Sequence, residues 1–219
     1  GGKIYGAGTD TLVVEGVKKL SGGEYTPVPD RIAGCTFLAA CALTGGDVYL
    51  ENLRSDTVNA VTEKLMRAGC ELIRGYDFVR IRSLGKLKAI HKVETQPYPG
   101  FPTDMQAPLV AMLTRANGCS VMVENLFENR YKYTVQLNKM GAKITVKDRI
   151  AVVKGVNKLH GTSIKSEDLR GGAALVIAAL AAEGESIVTG VSHIDRGYYK
   201  IEDDFRSLGA DIKRENIQL

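Results

Sequence analysis

The chain carries an internal repeat, and no other feature of the sequence restricts its fold so strongly. The segment Val13–Leu20 (VVEGVKKL) returns at Val152–Leu159 as VVKGVNKL, 139 residues later, and a weaker copy lies near Val79–Leu87. Halving this separation gives a repeat length of roughly 70 residues. We therefore predict that most of the 219 residues form three related units.

Each unit shows the order strand, helix, strand, helix, strand, strand (βαβαββ). In the first unit the six predicted elements are Glu24–Val28, Ile32–Leu43, Asp47–Glu51, Asp56–Ala68, Cys70–Arg74 and Phe78–Arg82. Gly69, Gly141 and Gly209 each follow the second helix of a unit. Glycine commonly ends a helix at this position, because it adopts the left-handed conformation without strain.

The two helices of a unit differ in polarity. The second helix, such as Asp56–Ala68, is amphipathic and is expected to cover a sheet from outside. The first helices are apolar nearly all round, at Ile32–Leu43, Met105–Ala116 and Ala173–Ala182. Such a helix must be surrounded by protein. We therefore predict an α/β fold with three apolar helices at the centre and with sheets and amphipathic helices outside; the alternative is an ordinary two-layer α/β domain.

The ends of the chain do not complete this pattern. Residues 1–22 match the closing strand of a preceding, truncated unit, and residues 23–219 are expected to form one three-unit domain. The predicted units span about 23–88, 89–157 and 158–219. The third unit lacks a closing strand, so we expect Thr11–Val17 to fill that vacant position, in the same chain or in a neighbouring one. The second arrangement would let two chains associate, and the chain looks cut from a longer protein.

Composition excludes several classes of protein. With 44% hydrophobic residues and no apolar run near the roughly 20 residues of a membrane-spanning helix, we expect neither disorder nor a membrane span. A net charge of +4 without long runs of like charge does not indicate nucleic-acid binding. The four cysteines lack the spacing of a zinc site or a disulfide framework, so buried thiols are expected. The opening residues lack a secretory leader, which predicts a cytoplasmic protein.

Charged residues cluster in the turns that precede helices. An acid precedes each central helix, and arginines lie in or beside the same class of turn. These residues are the acids Asp30, Asp104 and Asp168 and the arginines Arg31, Arg130, Arg170 and Arg196. If the units are related by rotation, the turns meet at one rim, together with helix N-termini that attract anions. The sequence therefore predicts a site for a phosphate or carboxylate.

Simpler interpretations remain open for each residue alone. Each of the three acids is a good helix cap. The arginines could form solvent-exposed ion pairs with Asp168, Asp195 or Glu128. His193 could act as a base or be an ordinary structural histidine. No cluster has the spacing of a metal site, and no glycine-rich nucleotide-binding motif occurs.

Four stretches, in chain order, resemble motifs of the enolpyruvyl transferase family. They are PGFPTDMQA at Pro99–Ala107, FENR at Phe127–Arg130, DLR at Asp168–Arg170 and HIDRGY at His193–Tyr198. The sequence is similar to the second half of the enzymes that act in peptidoglycan synthesis. The resemblance implies an inside-out α/β barrel, with the active site between this domain and an N-terminal domain of the same protein.

The resemblance also implies a reaction. The family member moves the enolpyruvyl group of phosphoenolpyruvate to the 3-hydroxyl of UDP-N-acetylglucosamine and releases phosphate, with no metal or organic cofactor. On this basis the chain is expected to be part of a transferase and inactive without the N-terminal half. Two alternatives are the enolpyruvyl transferase of the shikimate pathway and a noncatalytic binding or assembly module.

Site residues follow from the same resemblance. Asp104 is similar to the carboxylate that binds the sugar hydroxyl and accepts its proton, and Asp168 to a second acid near the reacting carbon. Arg170 and Arg196 look like ligands for the carboxylate and phosphate of phosphoenolpyruvate. The remaining predicted substrate-binding residues are Glu128, Asn129 and Arg130, all in the second motif.

Overall fold

Seven α-helices and thirteen strands are formed in the computed structural model, which describes residues 1–215. The helices are α1 (Arg31–Thr44), α2 (Asn59–Arg67), α3 (Gln106–Leu113), α4 (Thr134–Lys139), α5 (Leu169–Leu180), α6 (Ser192–Asp195) and α7 (Ile201–Ser207). The strands are β1 (Lys3–Tyr5), β2 (Val13–Glu15), β3 (Gly46–Glu51), β4 (Glu71–Arg74), β5 (Phe78–Ser83), β6 (Lys92–Glu94), β7 (Cys119–Val123), β8 (Lys143–Lys147), β9 (Ile150–Lys154), β10 (Leu159–His160), β11 (Ser163–Lys165), β12 (Ala182–Glu183) and β13 (Ile187–Thr189). The fold is mixed α/β.

The three apolar helices α1, α3 and α5 pack against one another. All eight residues of α3 are buried, as are most residues of α1 and α5. Such burial is favourable because each buried aliphatic side chain contributes about 1.5–3 kcal/mol. The helix predicted over Met105–Ala116 is shorter than expected: a 3-10 turn over Thr103–Met105 precedes α3, and the helix ends at Leu113.

The sheets lie around these helices. Strands β3, β5 and β4 form an antiparallel sheet, in which Val48 lies opposite Ile81. A four-stranded sheet has the order β6-β7-β9-β8, with Val121 opposite Val152. Two parallel pairs, β10 with β12 and β11 with β13, follow in the last third of the chain. Alternate residues of β5 and β9 are buried, as expected for sheets with one face on the core.

The outer helices end where glycine was expected to end them. Gly69, Gly141 and Gly209 follow α2, α4 and α7 and have φ values of +99°, +93° and +95°. A side chain at these positions would be strained, so the glycines permit the sharp exit from each helix. Helices α4 and α7 begin at Thr134 and Ile201, and the residues directly before them form turns.

Two expectations for the first 30 residues are wrong. Val13–Glu15 pairs antiparallel with Lys3–Tyr5 in an isolated hairpin, so Thr11–Val17 does not complete the third unit of its own chain. The predicted strand Glu24–Val28 does not form. Pro27 lies within that segment, and its missing N–H removes a ladder hydrogen bond. Nearly all of the first 28 residues are exposed.

None of the helices formed within residues 1–215 combines the length and the apolar character needed to cross a lipid bilayer.

Candidate active site

One carboxylate at the rim of the central helices holds two guanidinium groups. Arg130 Nη2 lies 2.7 Å from Asp104 Oδ1, and Arg170 Nη2 lies 3.1 Å from Asp104 Oδ2. Asp104 belongs to the turn before α3, Arg130 to the turn before α4, and Arg170 to the first turn of α5. The structure thus brings three of the predicted site residues together from three separate segments.

The three acids that precede the central helices have different roles. Asp30 caps α1, because its Oδ1 accepts hydrogen bonds from the amides of Ile32 and Ala33 at 2.8 and 3.0 Å. Asp168 caps α5 by accepting from the amide of Gly171 at 2.7 Å. Asp104 caps no helix: its turn is 3-10, and its carboxylate faces the two arginines. Of the three acids, only Asp104 therefore pairs with Arg130 and Arg170, which form the charged cluster with it.

Arg170 is the most enclosed charge of the cluster, with 15% of its side chain exposed. Its guanidinium lies over the ring of Tyr198, with Cζ 5.5 Å from the ring centroid. Burial alone would lower the pKa of Arg170, but Tyr198 and Asp104 more than offset it, and the pKa is raised. Its Nη1 is buried and has no hydrogen-bond partner among the described residues. The Arg170 guanidinium therefore has hydrogen-bonding capacity that its neighbours do not use.

Tyr198 joins this cluster to α1. The Thr36 hydroxyl donates to the carbonyl of Ile32 at 2.9 Å, so its oxygen accepts the phenolic hydrogen of Tyr198 at 2.8 Å. Burial is the main cause that raises the pKa of Tyr198. Together with the ion pair between Asp104 and Arg170, this contact sets the N-terminal ends of α1, α3 and α5 at one end of the fold. The partial positive charge of those helix ends favours an anion there.

Arg196 is exposed and directly precedes Gly197. Its neighbour Gly197 packs on Arg170, since a Cβ placed on this glycine would come within 3.5 Å of Arg170 Nη1. Asp195 pairs with Arg214 at 2.7 Å, not with Arg196 as one interpretation suggested. Within residues 1–215, Arg196 has no side-chain hydrogen bond or ion pair. It is therefore available to a ligand.

The other predicted residues lie outside the ion-paired cluster. Glu128 accepts from Arg149 at 3.0 Å, and 77% of its side chain is exposed. Asn129 is exposed and has a φ of +55°. Arg31 lies over the ring of Tyr98, with Cζ 5.3 Å from the centroid. Within residues 1–215, neither Glu128 nor Asn129 forms a hydrogen bond or an ion pair with Asp104.

Sequence reasoning missed Glu124, a buried carboxylate next to the cluster. Its side chain accepts hydrogen bonds from the hydroxyls of Thr95 and Thr103 and from the amides of Leu126 and Phe127. The available signal was its position: a single acid directly after the apolar strand β7. In the part of the chain that is described, no group of three or more His, Cys, Asp or Glu side chains could hold a metal ion.

Comparison with known proteins identifies the family. A sequence model described as EPSP synthase (3-phosphoshikimate 1-carboxyvinyltransferase) matches residues 1–205. The chain belongs to the enolpyruvyl transferase family. A curated member, UDP-N-acetylglucosamine 1-carboxyvinyltransferase 2 of Caldanaerobacter subterraneus subsp. tengcongensis, is 48% identical over 98% of this chain and 51% of its own length. A second, UDP-N-acetylglucosamine 1-carboxyvinyltransferase of Desulfofundulus thermocisternus, is 48% identical over 98% of this chain and 88% of its own length.

Solved structures of enolpyruvyl transferases have the same fold. The enolpyruvyl transferase NikO from Streptomyces tendae superposes with a TM-score of 0.82 at 27% identity, over 97% of this chain and 51% of that protein. EPSP synthase from Acinetobacter baumannii superposes with a TM-score of 0.68 at 20% identity, which concerns the fold alone. This enolpyruvyl transferase chain spans about half the length of the three curated relatives from Caldanaerobacter subterraneus subsp. tengcongensis.

Proposed function

We propose that the chain supplies half of an active site that transfers the enolpyruvyl group of phosphoenolpyruvate to the 3-hydroxyl of UDP-N-acetylglucosamine. The observation that carries this proposal is the placement of Asp104 between Arg130 and Arg170, with a buried nitrogen of Arg170 that has no hydrogen-bond partner within residues 1–215. Relatives that are 45–48% identical carry the name of this activity. The remaining half of the site would come from an N-terminal domain.

The proposed architecture is an inside-out barrel of three related units over residues 23–219, with residues 1–22 belonging to a preceding unit. The mutual packing of α1, α3 and α5 supports it, as do the similar glycine-terminated outer helices. Pairing of Thr11–Val17 with a neighbouring chain stays a prediction.

The charges of the cluster suit the chemistry. Phosphoenolpyruvate is an anion that would compete with Asp104 for the guanidinium groups of Arg130 and Arg170, with Arg196 as a further ligand. The arginines would stabilise the negative charge of the tetrahedral intermediate and of the departing phosphate. Released from its two partners, the Asp104 carboxylate could accept the proton of the sugar hydroxyl. Asp168 is the candidate for the second proton transfer, at C3 of the enolpyruvyl group.

A shikimate phosphate is the alternative acceptor, favoured by the description of the matching family model. Identity argues for the sugar nucleotide, because the EPSP synthase structures share only 20% of the sequence. A noncatalytic module would need no charged cluster at this rim.

Anion binding tests the site in the chain itself. Inorganic phosphate titrated into the 219-residue chain should shift the NMR signals of the rim, and Arg170→Ala or Arg196→Ala should weaken the binding. Arg67→Ala is the matched control, because Arg67 is an exposed arginine paired with Glu63 on α2. Unchanged phosphate binding after Arg196→Ala would contradict the proposed site.

Reconstitution tests the reaction. The chain is mixed with the N-terminal half of a related transferase, and phosphate release is followed with phosphoenolpyruvate and either UDP-N-acetylglucosamine or shikimate 3-phosphate. We expect release with the sugar nucleotide and its loss in Asp104→Asn. Release with the shikimate phosphate alone would favour the alternative, and activity independent of Asp104 would refute the proposed role of that residue.

A further inference from the structure

Glu124 is a buried charge without a cationic partner among the described residues. Only 1% of the residue is exposed. An unpaired carboxylate in a protein interior is costly unless several donors satisfy it. Here Oε1 accepts from Thr95 Oγ1 at 2.8 Å and from two backbone amides, and Oε2 accepts from Thr103 Oγ1 at 2.8 Å. The group is therefore satisfied, but by neutral donors only.

These donors lie on segments that carry the candidate site. Thr103 directly precedes Asp104. The two amides belong to Leu126 and Phe127, at 3.0 and 3.2 Å, in the loop that leads to Arg130. The ring of Phe127 in turn lies under the Arg130 guanidinium, with Cζ 5.1 Å from the centroid. One carboxylate thus contacts both loops that hold the 2.7 Å ion pair.

The third segment is fixed by the same network. Thr95 follows β6, and its hydroxyl donates to Glu124 while accepting from the amide of Asn125 at 2.8 Å. The Asn125 side chain donates to the carbonyl of Thr95 at 3.2 Å. The ends of the parallel neighbours β6 and β7 are therefore joined just where the two loops begin.

We propose that Glu124 is a positioning residue, which sets the distance and orientation of Asp104 relative to Arg130 by binding both of their loops. The inference rests on the proposed function, but the relative position of Asp104 and Arg130 can be measured in the chain without any ligand. An ion pair that must open to admit a phosphate or carboxylate ligand needs its two loops to keep their places when it opens. Hydrogen bonds to a charged acceptor are suited to this, since they are roughly twice as strong as those between neutral groups.

The test variant removes a single link. Glu124→Ala would leave four donors without their acceptor and is expected to destabilise the chain strongly. Thr103→Val keeps the shape of residue 103 and deletes only its hydrogen bond to Glu124, whereas Thr103→Ser retains the hydroxyl. Thr57→Val is the control: Thr57 is also half-buried, and its hydroxyl donates to the carbonyl of Arg54, which is not part of the cluster.

Two readouts separate positioning from simple stabilisation. The first is the NMR signal of the Arg130 Nε–H group in the free chain, assigned with Arg130→Lys. The second is the Kd for inorganic phosphate. We expect Thr103→Val to shift or broaden the Arg130 signal and to raise the Kd roughly three- to tenfold, as for the loss of one well-placed hydrogen bond. Thr103→Ser and Thr57→Val should leave both unchanged.

The outcomes decide separately on the two proposals. An unshifted Arg130 signal in Thr103→Val, with a melting temperature lowered as in Thr57→Val, would show that the Glu124 link is only structural and would overturn the inference. Failure of the unaltered chain to bind phosphate would instead count against the proposed function, and the Arg130 signal alone would then decide on Glu124.

Discussion

Arg170 Nη2 donates to Asp104 Oδ2 at 3.1 Å, although 66 positions separate the two residues in the chain. The other oxygen of Asp104 is taken by Arg130. The carboxylate therefore pairs with both of the arginines that are proposed to bind a phosphate or carboxylate. We expect a phosphate or carboxylate ligand to compete with Asp104 for these two arginines.

Asp104→Asn should consequently bind inorganic phosphate more tightly than the unaltered chain. Removing one negative charge at about 4 Å in a solvated site is worth about 1 kcal/mol, or roughly fivefold in Kd. The same variant should be less stable, because Arg130 and Arg170 lose a charged acceptor. Calorimetric titration with phosphate measures the first effect, and urea denaturation measures the second.

Asp56→Asn provides the control for Asp104→Asn. Asp56 is an exposed acid paired with Arg54, so its replacement changes the net charge equally without touching the cluster. It should leave the Kd for phosphate unaltered. Weaker phosphate binding in Asp104→Asn would mean that Asp104 helps to hold the anion and does not compete with it.

The losses in free energy of unfolding caused by replacing Tyr198 and Thr36 should not be additive, because the two side chains share one hydrogen bond. Tyr198→Phe and Thr36→Val each remove one partner of a buried hydrogen bond, at a cost of about 1 kcal/mol. Once either partner is gone the second replacement should cost less, so the double variant should be less destabilised than the sum. Urea denaturation of the four proteins measures the coupling.

A second cycle checks that the coupling belongs to this pair. The Tyr131 hydroxyl donates to the carbonyl of Met122 and not to Thr36. Tyr131→Phe combined with Thr36→Val should therefore be additive. Additivity in the Tyr198 cycle as well would argue that the phenol does not link α1 to the cluster.

The pair of Asp47 with Arg80 and Arg82 predicts a pH dependence of stability. Hydrogen bonds from Arg80, and next from Arg82, lower the pKa of Asp47 below the ordinary value of 3.8. A depressed carboxyl pKa stabilises the fold above the unfolded-state pKa and loses that effect as the pH falls through the folded-state pKa. Asp47→Asn should therefore be less stable than the unaltered chain at neutral pH. The difference in free energy of unfolding between the two proteins should decrease as the pH falls below 3.8. Urea denaturation over that range provides the measurement; a difference independent of pH would contradict the ion pair.

Thiol reactivity should distinguish one cysteine from the other three. Burial raises the pKa of Cys35 to about 12 and that of Cys41 to about 11, and it also raises the pKa of Cys70. Cys119 is exposed, contrary to the expectation that all four are buried. A chromogenic disulfide reagent at mildly alkaline pH should modify one thiol rapidly, and Cys119→Ser should abolish that phase. A second rapid thiol would show that the first unit opens readily.

The sequence could predict the central helices but not which acid serves the site. Helix α3 is apolar on all sides, and such a helix is stable only when protein surrounds it. Its position at the centre therefore follows from its composition. Asp30, Asp104 and Asp168 look alike in sequence, since each precedes such a helix. They differ because the turn at Asp104 is 3-10 and directs the carboxylate to arginines that lie far away in the chain. The residues next to Asp104 in the sequence do not indicate contacts with arginines that are 26 and 66 positions away.

Glu124 and the first 28 residues show the same limit. Thr95 and Thr103, which bind Glu124, lie 29 and 21 positions away, so the only local signal for its burial was its place directly after the apolar strand β7. The repeat at Val13–Leu20 correctly suggested a strand at Val13–Glu15, but this strand pairs with Lys3–Tyr5. The two strands are close in the chain, so closing the loop between them costs little conformational entropy. Similarity of sequence indicated the element and not the neighbour that it pairs with.

The complete enclosure of α3 has a consequence for how specificity could be altered. Because every residue of α3 is buried, the helix cannot rotate or shift without disrupting the residues packed around it. The turns at its end are therefore held in a fixed position. Loops at this rim could then be exchanged between relatives, and any change in ligand preference could be measured without altering the helices beneath them.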